Sequence, residues 1–109
     1  MEWHLIAASA AAIAWRENGM ALVEVSGRRI CVARAGEMLS AFAPGCPHAG
    51  APLCEGWLDA KGNVVCPLHK YRFSPQNGRN VSGEGYHLRV FPMRVEDRGG
   101  YIGLPEGGG

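Results

Sequence analysis

The amino-acid sequence predicts an all-β domain, on three observations. The chain combines 16 Gly and 7 Pro with 47% hydrophobic residues over 109 positions, a mixture that suits a turn-rich sheet protein better than a helical one. Short apolar runs recur between clusters of Gly, Pro, Asn and Ser. Neither a coiled-coil heptad nor an internal repeat is visible. The length is that of one domain, residues 1–109, with a core small enough that a bound metal centre would add to its stability.

Taken in order, Ala7–Ala14 is mostly alanine and has helical propensity, enough for a turn or two. Met20–Val25 and Arg28–Arg34 flank Ser26-Gly27, a short hairpin connection. Ala35-Gly36 turns the chain into Met38–Ala43, so the first half reads as an antiparallel meander. Asp59–Gly62 is a turn, Asn63–Val65 a strand running into Cys66, and Tyr71–Phe73 a strand beyond it; Ser74–Gly78 turns again. In Leu88–Val95 the apolar alternation slips at Phe91-Pro92. A bulge or an edge position would explain both the slip and the N–H that Pro92 lacks. Tyr101–Leu104 closes the domain as a last strand, and Gly107–Gly109 reads as a frayed end.

Chemistry concentrates in two elements, Cys46-Pro47-His48 and Cys66-Pro67-Leu68-His69, with seventeen residues between them. Each pairs one thiol with one imidazole on a turn bordered by Gly and Pro. Two hairpin tips on a rigid sheet would aim the four ligands at one point. The bland alternative is a zinc-stabilised interaction domain. The order Cys-His-Cys-His departs from the Cys-Cys-His-His run of zinc fingers and disfavours it. Cys31 lies in an apolar run. With each of Cys46 and Cys66 near a histidine and no secretion signal, the cysteines read as a metal site before a disulfide framework. Cys31 and Cys54 are accordingly expected to be buried thiols.

As they stand, Cys46-Pro47-His48-Ala49-Gly50 and Cys66-Pro67-Leu68-His69 resemble the paired motifs of the Rieske 2Fe–2S family, strongly over Pro44–Phe73 and loosely in the flanking strands. The resemblance implies an antiparallel β sandwich or barrel with a small cluster-binding subdomain, about 44–73. It implies one 2Fe–2S cluster, with Cys46 and Cys66 on the inner iron and His48 and His69 on the outer one. Two ferric ions, two sulfides and two thiolates sum to zero, so neutral histidines make reduction easier than in a four-thiolate cluster. Respiratory and photosynthetic members place a further cysteine inside the second motif, where this chain has Leu68. They also place serine and tyrosine donors two and four residues past the second histidine, where this chain has Tyr71 and Phe73. Phe73 cannot donate, which implies the low-potential branch. Ser82–Gly85 stands where many members carry a proline-containing loop.

The length is too short for the mononuclear iron domain of ring-hydroxylating oxygenases, and His4 and His87 make no credible second iron site. The expectation is therefore a one-electron carrier, not itself an enzyme, whose partners are a reductase and an oxygenase. The alternative is the small Rieske-type subunit of NADH-dependent nitrite reductase, with the large subunit as its partner. A net charge of +1 lacks the footprint of a nucleic-acid binder. Leu5–Ala14 is too short to span a bilayer and has no basic flank, so a soluble, cytoplasmic protein is expected. Trp3, Trp15, Trp57 and Phe42 read as packing residues, with a cluster-shielding role open for Trp57. Lys70 and Arg72 flank His69 as a docking rim or as plain solvated surface.

Overall fold

The computed structural model describes residues 1–47, 50–96 and 99–105. The strands are β1 (Glu2–Ala7), β2 (Met20–Val25), β3 (Arg28–Ala35), β4 (Met38–Phe42), β5 (Trp57–Leu58), β6 (Val64–Val65), β7 (Arg72–Phe73), β8 (Val90–Phe91), β9 (Met93–Glu96) and β10 (Gly99–Leu104). They form three antiparallel sheets, ordered β1-β10-β9, β2-β3-β4-β8 and β5-β6-β7. The all-β expectation holds, and the meander β2-β3-β4 lies where the alternation placed it. Ser26 and Gly27 both have positive φ, 52° and 78°, the backbone of the two-residue turn that suits strand twist. Ala7–Ala14 yields only a 3-10 turn at Ala10–Ala12, and Ala7 is the last residue of β1, which pairs with β10.

β3 organises the interior. Ile30, Cys31, Val32 and Ala33 are all buried, and successive side chains point to opposite faces of the sheet. Ile30 and Val32 join a core with Ala21, Val25, Ala41, Phe91, Ile102 and Leu104, against the sheet β1-β10-β9. Cys31 and Ala33 join a second core with Met20, Phe42, Leu53, Val64, Phe73 and Leu88, against the sheet β5-β6-β7. Each fully buried Ile, Leu or Phe contributes about 1.5–3 kcal/mol.

The slip at Phe91-Pro92 marks a change of sheet. β8 pairs with β4 and β9 pairs with β10, so the inward-facing phase restarts across Pro92. A proline at this junction interrupts neither ladder, and its carbonyl accepts the Gly103 N–H at 2.9 Å.

One expectation is corrected. Cys31 and Cys54 are buried but are not thiols: they form a disulfide, with Cα atoms 5.8 Å apart. The alternation of β3 aims Cys31 at the second core, and the 3-10 turn Leu53–Glu55 packs on that same face. The residues are 23 positions apart in sequence, so the proximity is tertiary. The bridge ties the central sheet to the segment between the two Cys/His motifs.

Candidate metal centre

Both motifs are hairpin tips. The first rests on a small ladder in which the Leu53 N–H donates to the Pro44 carbonyl at 2.8 Å and Gly45 bridges Pro52. The second joins β6 to β7, with Val65 opposite Arg72. Within each tip the hydrogen bonding is the same. The Cys46 N–H donates to the Ala51 carbonyl at 2.8 Å, and the Gly50 N–H to the Cys46 carbonyl at 2.7 Å. The Cys66 N–H donates to the Tyr71 carbonyl at 2.8 Å, and the Lys70 N–H to the Cys66 carbonyl at 2.9 Å. The fifth residue is left-handed in both, with φ of 71° at Gly50 and 61° at Lys70. A proline follows the cysteine in each and presets the turn.

The form occurs a third time. At Ser74–Arg79 the same pair of bonds closes at 2.8 and 2.7 Å, Pro75 is in second place, and Gly78 has φ 78°. The sequence shows a proline in second place in all three copies and glycine in fifth place in two; the lysine in fifth place of the remaining copy hid the repeat.

Cys46 and Cys66 are buried, and they share one core with Phe73. The two tips are brought together where the chain at Gly56 runs against β6. A Cβ there would lie 2.0 Å from the Val65 carbonyl oxygen and 3.2 Å from Pro67. His69 is exposed, its ring centroid 5.9 Å from that of Tyr71, and Tyr71 stacks on Tyr86 with centroids 5.9 Å apart. His48 lies outside the described residues. Partial desolvation raises the Tyr71 hydroxyl above its ordinary value of 10.0, and Glu84, Tyr86 and the Cys46 and Cys66 sulfurs push the same way. The phenol thus lies within the field of both sulfurs and stays protonated, a hydrogen-bond donor at any ordinary pH.

The segment carrying Tyr86 is held by Asn80. Its side-chain oxygen accepts the Glu84 and Gly85 N–H groups, and its amide donates to the Arg72 carbonyl at 3.2 Å and to Glu84 at 3.0 Å. Ser82 donates to the Glu84 carboxylate and accepts the Arg72 N–H at 2.9 Å. Ser82–Gly85 therefore works as a brace for Tyr86. Trp57 is 42% exposed and Trp3 38%, so neither fills a core, whereas Phe42 is wholly buried. Trp15 is half-buried, with its indole N–H on the Ala10 carbonyl and Arg34 over its ring. His4 lies 3.6 Å from Glu2 on β1.

A family model, the Rieske [2Fe-2S] domain, matches residues 2–92. The chain belongs to this family. Its cofactor is the Rieske-type 2Fe–2S cluster. The buried thiols of Cys46 and Cys66, on two tips of matching form, suit the sulfur-ligated side of such a group, and the exposed imidazole of His69 suits the outer side. Among the described residues no three His, Cys, Asp or Glu side chains converge as they would on a single metal ion.

The Rieske domain is 34% identical over 62 residues to the 3-phenylpropionate/cinnamic acid dioxygenase ferredoxin subunit of Escherichia coli K12. That match covers 56% of this chain and 58% of the relative, so the chain spans little more than half of the curated relative's length. Among solved structures it resembles the ferredoxin of carbazole 1,9a-dioxygenase from Nocardioides aromaticivorans IC177. The TM-score is 0.78 at 22% identity, over 97% of this chain and 100% of that one. A complex of reduced oxygenase and oxidized ferredoxin in carbazole 1,9a-dioxygenase gives a TM-score of 0.75 at 27% identity, over 92% and 91% of the two chains. A protein described as a nitrite reductase NADPH small subunit shares the fold, with a TM-score of 0.76 at 19% identity over 95% and 100%. Among the described residues no helix is long and apolar enough to cross a membrane.

Proposed function

We propose that this Rieske domain is a one-electron carrier between a reductase and a terminal oxygenase, with Cys46, His48, Cys66 and His69 as the cluster ligands. The observation that carries the reading is the pair of matching hairpin tips, each opening on a buried cysteine. When bound, the cluster supplies one reversible electron. The protein's part is to hold and cover it. Cys46 and Cys66 anchor it from inside, on a unit of about 44–73 that rests on the core face of β3. Phe73 and the stacked Tyr71 and Tyr86 keep water from the sulfur side. His69 faces solvent and forms the edge across which an electron leaves.

The names of the ferredoxin relatives and of the oxygenase–ferredoxin complex support the carrier over the nitrite reductase subunit, for which the likeness is one of fold. The reading assigns the protein to the cytoplasm. There the Cys31–Cys54 bridge, buried at both ends, would be shielded from the thiolate attack by which disulfides exchange.

The test is iron and acid-labile sulfide content, with visible and EPR spectra, on protein made under iron-replete anaerobic conditions. About two of each per chain and a midpoint potential near the low end of the Rieske range, about −150 mV, are expected. Cys46→Ala or Cys66→Ala should lose the cluster. His48→Ala or His69→Ala should lose the Rieske spectrum. Stoichiometric zinc without sulfide would overturn the reading.

A further inference from the structure

Three six-residue tips close with the same pair of backbone hydrogen bonds, and each places its fifth residue in the left-handed region. Two use glycine there. At Gly78 no side chain fits, since a Cβ would lie 1.9 Å from the Leu88 carbonyl oxygen. At Gly50 nothing among the described residues lies within 4 Å of an added Cβ, and the chain still uses glycine. The third position is Lys70, with φ 61°. Asn and Asp tolerate this conformation through local hydrogen bonds, whereas lysine has no such compensation. Strain of this kind persists where the side chain has a task.

The surroundings of Lys70 identify the task. It is exposed and follows directly on His69. Among the described residues its ammonium has no carboxylate within ion-pair distance. Arg72, the next cation along, lies 3.9 Å from Asp59 and is partly neutralised. The Glu84 carboxylate is engaged by Asn80 and Ser82. Leu68, on the other side of His69, is 62% exposed. The tip therefore presents an apolar contact, an imidazole edge and one uncompensated positive charge within three consecutive residues.

We propose that Lys70 is a specificity-determining residue, held in a strained backbone so that its charge stands beside the His69 edge and selects redox partners with an acidic docking face. This rests on the carrier reading above. A fixed charge at the exit edge raises the local concentration of anionic partners and turns cationic ones away.

The experiment needs no natural partner. Dithionite-reduced protein is oxidised in a stopped-flow instrument by ferricyanide, which takes one electron and becomes ferrocyanide with no bond to the protein made or broken. The oxidation is repeated with a tripositive cobalt(III) complex that accepts one electron. At about 0.1 M ionic strength, where the Debye length is about 10 Å, only nearby charges are felt. Lys70→Gly should slow ferricyanide about threefold and speed the cobalt oxidant by a similar factor, as expected for one charge acting on a trivalent ion across roughly a Debye length. Lys70→Arg should behave as wild type. Lys61→Gln, which removes the same charge at the far end of the β5–β6 hairpin, should change neither rate. Lys70→Gly should also melt no lower than wild type.

Equal slowing of both oxidants would reveal a structural defect and overturn the proposal. So would unchanged rates, or an equal effect of Lys61→Gln. Absence of the cluster in the wild-type protein would be the failure of the carrier reading; unchanged rates with the cluster's spectrum intact would be the failure of the Lys70 assignment.

Discussion

Cys46–Ala51 and Cys66–Tyr71 close with the same two hydrogen bonds, yet they are secured by different means. The first tip runs on into Leu53–Glu55, which is bonded covalently to β3 through Cys54. The Asn18 amide reinforces it by donating to the Cys54 and Gly56 carbonyls at 2.8 and 3.0 Å. The second tip stands on short strands, the Tyr71–Tyr86 stack and the Asn80 brace. Asp59 orders the turn that joins β5 to β6, at the other end of β6 from the tip. One tip is fixed by a bond that does not titrate, the other by contacts that respond to charge and pH.

The largest test of this contrast is removal of the bridge. The double substitution Cys31→Ser with Cys54→Ser should retain the cluster but lower stability by about 3 kcal/mol, as the chain-entropy account gives for a loop of this size. Urea denaturation of the two proteins measures the difference. A loss below about 1 kcal/mol would mean that the bridge does not secure the first tip. Counting alkylated thiols in the denatured protein checks the bond itself: Cys46 and Cys66 should react, Cys31 and Cys54 only after reduction.

A smaller effect comes from giving the first tip the second tip's residue. Gly50→Lys meets no steric obstacle among the described residues, none of which lies within 4 Å of its Cβ. It should therefore cost only left-handed strain, about 1 kcal/mol, with the cluster kept. A much larger loss would show that the two tips are not equivalent in backbone.

The smallest effect is that of acid on the second tip. Burial raises the Asp59 carboxyl, but the Asn63 and Lys61 N–H groups, the Asn63 amide and the Arg72 charge together outweigh it and hold the group below its ordinary value of 3.8. A depressed carboxylate stabilises the fold fully above the unfolded value. That contribution is lost as pH falls from about 3.8 through the lower folded value. Urea midpoints measured from pH 5 to pH 3 should fall more steeply for wild type than for Asp59→Asn. Parallel curves would remove Asp59 from the account.

How far the sequence reached follows from the range of each signal. The strands of the meander were legible because alternation and turn residues are local. β1 was not, because its partner β10 lies at the other end of the chain and no local turn or alternation announces the pairing. The slip at Pro92 was visible, but its meaning, a change of sheet, needed the partners of β8 and β9. The two Cys/His motifs were read as hairpin tips from their Gly and Pro borders, and the tips are there. The Cys31–Cys54 bridge was missed: an apolar strand buried on both faces reveals that Cys31 is interior but not what it meets. The lysine in the left-handed position was equally opaque, since only the dihedral distinguishes it from a surface cation.

Ser74–Arg79 closes with the same two hydrogen bonds as the two Cys/His tips, and with the same left-handed fifth residue, although its first residue is a serine. The shape is thus written by Pro-x-x and a left-handed fifth residue, independently of any metal. The proposed ligand tips would in this sense be moulded before they are loaded. Assembly of the cluster would then cost little chain ordering, and most of the binding energy would remain as affinity. Converting such a turn into half of the proposed electron-transfer site takes two exchanges, a thiol for the hydroxyl in first place and an imidazole in third or fourth place.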